Sequence, residues 1–339
     1  MTVVHARHRA RRAWRRTRLA PSRPRPWARS RTLLLVVMTM AVTPECGRSA
    51  PAAGRARGGA PGRRAAAECD TPHPGWIWCD DFERDRLRSY FEYDDAHGAF
   101  TRAEHVGVDG SIAMRARFDV GRVSAGSLHL AFGITPSAYM RPVDAGTARY
   151  DDLYWRVYLR LQPGWTGGGG HKLSRALILA TPQWGEAAVA PVWSGSGKGR
   201  DYLVIDPASG TAPGGGLRST RYNDNPHLRY LGLAASHSAI FADAAAGAWH
   251  CIEAHVRLND PARQNGVFEL WIDGAPEARR DRLDWRGSFT EYGLNALFVE
   301  NYWNGGAPAR QERYIDNVVV STRRIGCVPG LGSEATGDS

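Results

Sequence analysis

The stretch LYWRVYLRL, Leu153–Leu161, alternates without a break. Leu153, Trp155, Val157 and Leu159 fall on one face, and Tyr154, Arg156, Tyr158 and Arg160 on the other, the period of a half-buried β-strand rather than of a helix. The pattern returns on both sides of it. Upstream, Ile112–Phe118 (IAMRARF) sets Ile112, Met114 and Ala116 against Ala113, Arg115 and Arg117. Downstream, Cys251–Leu258 (CIEAHVRL) predicts Ile252, Ala254, Val256 and Leu258 inside, and Val267–Ile272 (VFELWI) predicts Phe268, Leu270 and Ile272 inside. Asn259–Gly266 supplies the turn between those two runs, Asp273-Gly274 closes the second, and Tyr314–Ser321 (YIDNVVVS) is a last β-branched strand. Period-two segments separated by turn residues, with little helical periodicity, predict an all-β fold of two packed antiparallel sheets over residues 68–330.

The chain of 339 residues is 43% hydrophobic, ordinary for a globular protein, and has no run of eighteen apolar residues, so no stable membrane span is expected. Its net charge of +10 is misleading as a sign of nucleic-acid binding. Residues 1–67 hold sixteen Arg, no Lys and one acid (Glu45), which is +15 and leaves −5 for residues 68–339. A mildly acidic body lacks the clustered Lys and Arg that phosphate binding needs, so nucleic acid is set aside as a partner.

Residues 1–52 read as a basic leader whose apolar run, Thr32–Thr43, is too short for an anchor and suits a secretory signal. Residues 53–67 read as a disordered linker and 331–339 as a disordered tail. Export fits the cysteines: outside the leader, with its Cys46, stand Cys69, Cys79, Cys251 and Cys327, an even set. Four cysteines allow three pairings; Cys69–Cys79, closing a short loop, and Cys251–Cys327, tying a late strand to the C-terminal segment, are the expected ones.

The segments WCDDFE (Trp78–Glu83), LRLQPGW (Leu159–Trp165), GGGGHKLSRA (Gly167–Ala176), WHCIEAHVRLND (Trp249–Asp260), GVFELWIDG (Gly266–Gly274), ENYWNGG (Glu300–Gly306) and YIDNVVVSTRRIGC (Tyr314–Cys327) occur in an order that resembles the concanavalin A-like lectin and glucanase jelly roll. Within that group the chain is most similar to the secreted polysaccharide lyases acting on alginate and glucuronan. The resemblance implies a concave sheet that holds a sugar chain, with a catalytic lysine after a glycine run followed by a Ser-x-Arg strand and a Tyr-x-Tyr strand. Lys172 falls at the lysine position, with His171 inserted after the glycines and Ser174 where proline is usual. Tyr202–Asp206 (YLVID) lacks Ser-x-Arg, and His227–Gly232 (HLRYLG) offers Tyr230 alone.

Eliminative cleavage of a uronate polymer needs a cation or amide on the carboxylate, a base for the C5 proton and an acid for the leaving oxygen. Lys172, His171, Tyr230 and Tyr302 are the candidates for the chemistry. Arg175, Tyr154, Arg156, Tyr158, Asn301 and Trp303 are candidates for holding substrate, since aromatic rings stack on sugars and Arg pairs with carboxylates. Strict alternation puts Lys172 and Ser174 on one face and His171 and Arg175 on the other, so the cluster acts together only if a bulge intervenes. It likewise pairs Glu300 with Tyr302 and Asn301 with Trp303, one pair facing the groove.

Other chemistries find little support. No Glu-x-Asp-x-(x)-Glu run supplies the two carboxylates of a glycosidase, and Asp81, Glu83 and Asp85 read as edge and turn acids. There is no HExxH, GxSxG, CxxC or phosphate-binding loop, so no cofactor or catalytic metal is expected; the only ion the acids suggest is a structural Ca²⁺ near Asp80, Asp81 and Asp316. The expectation is therefore a secreted, monomeric, lyase-like protein for an acidic polysaccharide. The alternatives are a non-catalytic lectin-like module and a structural envelope protein whose groove is filled by its own loops. Asp206–Asn225, rich in glycine, would be the plug or lid.

Overall fold

A computed structural model describes residues 68–167 and 169–329; the predicted leader, linker and tail lie outside them. The described residues form seventeen β-strands, seven single-turn 3-10 helices and no α-helix. In chain order the strands are β1 (Trp76–Asp80), β2 (Glu92–Asp94), β3 (Phe100–Ala103), β4 (Ala113–Phe118), β5 (Ser124–Ala131) and β6 (Asp152–Leu161). Next come β7 (Lys172–Leu179), β8 (Glu186–Ser194), β9 (Leu203–Ile205), β10 (Ala208–Ser209), β11 (Arg229–Tyr230) and β12 (Ala234–Ala235). The last are β13 (Trp249–Arg257), β14 (Gly266–Ile272), β15 (Ala275–Leu283), β16 (Ala296–Tyr302) and β17 (Gln311–Ser321).

They build two antiparallel sheets. Sheet A runs β15-β14-β13-β6-β17-β4-β3 with β1 also on β17, and sheet B runs β11-β10-β8-β7-β16-β5-β2 with β9 and β12 extending from β8. The sheets pack face to face through the residues that alternation assigns to the interior: Leu153, Trp155, Val157 and Leu159 from β6, Ile252, Ala254 and Val256 from β13, and Phe268, Leu270 and Ile272 from β14. At the β14–β15 hairpin, Asp273 and Gly274 both take positive φ, 51° and 84°, the two-residue turn that lets neighbouring strands keep their twist.

Among the described residues the disulfides are Cys69–Cys79 and Cys251–Cys327, as expected from the sequence. Among the described residues no helix is long and apolar enough to cross a membrane.

One buried cation joins the sheets. Arg313 of β17 lies between them, fully enclosed, and donates to Asn301 Oδ1 at 2.7 Å, to the Lys172 carbonyl at 2.8 Å and to the Glu300 carbonyl. Sheet A thereby holds the backbone of two neighbouring sheet B strands, β7 and β16, at the points where their polar side chains turn outward.

Candidate functional site

Strand β7 lies at the middle of sheet B, paired with β8 on one side and β16 on the other. Its register against β8 shifts between Lys172 and Ser174. Two successive residues, Leu173 and Ser174, therefore turn inward, Leu173 into the core and Ser174 to accept a 3.1 Å hydrogen bond from Trp155 Nε1 of the opposite sheet. Lys172 and Arg175 emerge together on the outer face, which strict alternation forbids.

That outer face carries a cavity of about 420 Å³. Val189 and Ala208, which belong to an apolar cluster with Phe298, Leu177 and Leu179, line it together with the polar group Lys172, Arg175, Glu300 and Tyr302. Arg175 donates to Glu300 Oε1 at 2.8 Å, to Asn223 Oδ1 at 3.1 Å and to the Tyr222 hydroxyl. Tyr222 in turn donates to Glu300 Oε1 at 3.2 Å. The Lys172 Nζ is 3.9 Å from the same carboxylate oxygen and 4.7 Å from the centre of the Tyr302 ring. His129 of β5 stacks on Phe298 with ring centres 3.7 Å apart and bonds Glu92 at 3.1 Å; Tyr230, half exposed, completes the rim.

The charges are strongly coupled. Burial works against the Glu300 carboxylate, but Arg175 and Lys172 outweigh it and hold Glu300 below the usual range, hence ionised. Burial also opposes the charge on Arg175, and Glu300, Tyr222 and Glu186 more than restore it. Lys172 is pushed down by burial, with Glu300 opposing and Arg175 adding to the effect. Behind Arg175 stands Glu186, wholly buried and 3.6 Å from the guanidinium; burial raises it to about 7 against the pull of Arg175 and of the Asp224 backbone amide.

Lys172, Arg175, Tyr302 and Tyr230, all singled out from the sequence, thus share one cavity. The other candidates need correction. His171 is turned inward, enclosed by Trp165, Phe241 and Trp303, and burial with Arg313 nearby drives its pKa well below the usual value, so it stays a neutral interior ring. Asn301 and Trp303 also face the interior, Asn301 bonding the Gly126 carbonyl and Arg313, because β16 presents Glu300 and Tyr302 outward.

Tyr154, Arg156 and Tyr158 do share a face, but it is the outer face of sheet A, on the opposite side of the sandwich. There Arg156 pairs with Glu68 and the Gly326 carbonyl, between the Trp76 and Tyr158 rings, and Tyr158 accepts from the Val328 amide at 2.7 Å. Tyr154 stacks on His255 with centres 4.0 Å apart. Arg156 and Tyr158 thus hold the segments around Glu68 and around Gly326–Val328 against the sheet.

Residues the sequence reading missed are Tyr222, Asn223, His129 and Glu186. His129 was legible: in SAGSLHLA, Leu128 and Leu130 alternate with Ser127 and His129, which lie on the cavity side. Tyr222 and Asn223 belong to the stretch expected as plug or lid; it instead supplies one wall of the cavity. Among the described residues no group of three or more His, Cys, Asp or Glu is arranged to hold a metal ion. Of the acids suggested for Ca²⁺, Asp80 accepts from Phe82 N and Tyr90 OH, Asp81 from Cys69 N and Glu83 N, and Asp316 from Val108 N and Asn317 N.

No protein-family model matches the chain, and no curated protein matches it in sequence. Solved structures similar to it include an endo-β-1,4-glucuronan lyase from the fungus Trichoderma reesei, with a TM-score of 0.50 at 13% identity over 73% of this chain and 96% of that one. An alginate lyase from Chlorella virus follows with a TM-score of 0.47, 13% identity, and 73% and 99% of the two chains. An alginate lyase from Aplysia kurodai has a TM-score of 0.46, 12% identity, and 73% and 99%. The likeness to the glucuronan lyase establishes a shared jelly-roll fold, in agreement with the resemblance read from the motifs.

Proposed function

We propose that this protein binds an acidic, uronate-containing polysaccharide across the outer face of sheet B and cleaves it by β-elimination. The observation that carries the reading is the convergence of Lys172, Arg175, Tyr302 and Tyr230 in one open cavity of a jelly roll whose fold is that of a glucuronan lyase. A second support is chemical. Lys172 is the ammonium nearest the open space with a weak hold on its own carboxylate, 3.9 Å from Glu300, so a substrate carboxylate can take it up. Arg175, already bonded to Glu300, Tyr222 and Asn223, is a positioning residue rather than the primary clamp.

In the reaction, Lys172 neutralises the C6 carboxylate, which makes the C5 hydrogen acidic. The phenolate of Tyr302 takes that proton and becomes the phenol, electrons of the C5–H bond form a C4=C5 double bond, and the C4–O bond breaks; the departing oxygen receives a proton from that phenol or from Tyr230 on the rim, and exchange with solvent resets the pair. The product carries one unsaturated end and no water is consumed. Two disulfides and the basic, apolar leader support an extracytoplasmic site of action.

Incubation with glucuronan, alginate and heparin, read by the ultraviolet absorbance of unsaturated ends, tests the proposal. A steady rise with at least one polyuronate is expected. Saturable binding of polymer with no such rise would make the chain a glycan-binding module instead.

A further inference from the structure

A second cavity of about 340 Å³ adjoins the first, and Lys172, Trp193, Asp206 and Asn304 line both. Lys172 thus stands at the junction of two spaces of different chemistry. In the first it is accompanied by a second cation, Arg175, which is paired with Glu300. In the second, among the described residues, Lys172 is the one Lys or Arg, and Asp206 is a carboxylate on the wall. His171 also borders it but is buried and held neutral. The rest is largely apolar, with the Trp193 ring, Val204 and the exposed side chain of Leu233. Lys198 and Arg200 stand on the neighbouring loop but do not line the space, and Arg200 is paired with Asp201.

We infer that the second cavity is a subsite for a neutral sugar, so that the substrate is a heteropolysaccharide in which a uronate, seated in the first cavity, is joined to an uncharged residue across the bond beside Lys172. This rests on the reading of the first cavity as a uronate site. A pyranose places its C–H face on an indole and its hydroxyls on amide and hydroxyl groups, which Trp193, Asn304 and Ser196 supply. A second uronate would bring its carboxylate against Asp206, with Lys172 already committed to the first. Like charges set together without a counter-ion repel, and this selects against homopolyuronates rather than merely failing to favour them.

The test uses Tyr302→Phe protein, to hold substrate uncleaved, and equal-length oligosaccharides of glucuronan, with a carboxylate on every unit, and of hyaluronan, in which glucuronate alternates with neutral N-acetylglucosamine. Binding by calorimetry is expected to favour the alternating oligosaccharide by about tenfold or more, the scale of one unbalanced charge contact. Adding Leu233→Arg, a change at an exposed position, is expected to bring a cation to the wall and narrow that ratio. Equal affinity, a preference for glucuronan, binding of neither, or a ratio indifferent to Leu233→Arg would overturn the inference. Ultraviolet assays of the unsubstituted protein on the same oligosaccharides separate the two readings: no unsaturated product with the affinity ratio intact removes elimination and leaves the neutral-sugar subsite standing.

Discussion

Lys172 owes its position to a balance of weak attachments. It is close enough to Glu300 for the carboxylate to oppose the effect of burial and too far for a full hydrogen bond, while Arg175 and Tyr222 donate to the same carboxylate oxygen. Replacing Lys172 by Met keeps the stem over the Tyr302 ring and removes the charge. The expected outcome is a fall in turnover of about 10²–10⁴-fold with an unchanged melting temperature, and Tyr302→Phe is expected to fall within the same range. Glu186 offers a separate test that does not depend on substrate. Its pKa in the folded protein, about 7, lies above the ordinary 4.5, so the native state retains a proton that the unfolded chain releases. The stability this group contributes is full below pH 4.5 and is lost as pH rises through 7. Glu186→Gln keeps the shape without the charge. Thermal melts should show it more stable than the natural protein by a few degrees at pH 8 and nearly equal at pH 5; a lower melting temperature at pH 8 would contradict the assignment.

At the scale of the strand, the bulge in β7 decides what the site contains. The periodicity of Leu153–Leu161, Cys251–Leu258 and Val267–Ile272 is readable because each strand alternates without interruption, and the face it assigns to the interior is the one packed between the sheets. The segment from His171 to Arg175 is not readable in that way, since two residues turn inward in succession at Leu173 and Ser174. Nothing in the residue types announces the extra inward position; it is fixed by Trp155 of the opposite sheet, whose indole N–H finds the Ser174 hydroxyl. The misplacement of Arg156 and Tyr158 has a different cause. Alternation says which residues share a face but not which sheet the strand joins, and β6 belongs to sheet A. Tyr222 and Asn223 were invisible for a third reason, as they reach the cavity from an irregular segment with no period to read. Ser174→Ala leaves the Trp155 donor buried without its partner and is expected to cost about 1–3 kcal/mol. A melting temperature lower by several degrees checks this; an unchanged one would mean the bulge is held by something else.

Over the whole molecule, the two sheets differ in what they do. Sheet A is closed off on its outer face by the terminal segments, through Arg156 with Glu68 and Gly326 and through the Cys251–Cys327 link, while sheet B keeps its outer face open as a trough. Restricting a longer loop in the unfolded chain stabilises more, so the bond spanning 76 residues should matter more than the one spanning 10. Paired Cys→Ser variants are expected to lose about 4–5 kcal/mol for Cys251–Cys327 and about 3 kcal/mol for Cys69–Cys79, measured by denaturant unfolding. Reversal of that order would show that the segment after β17 is held chiefly by its hydrogen bonds. Arg313 links this frame to the trough, because the carbonyls of Lys172 and Glu300 both rest on it. The central claim is that a lysine and a phenol in this trough remove a proton from a uronate and break its glycosidic bond without water. Digestion of a uronate polysaccharide in heavy-oxygen water, with products weighed by mass spectrometry, addresses it directly. Fragments that carry no solvent oxygen and end in an unsaturated uronate are the predicted result; fragments with one labelled oxygen and saturated ends, or an intact polymer, would contradict it.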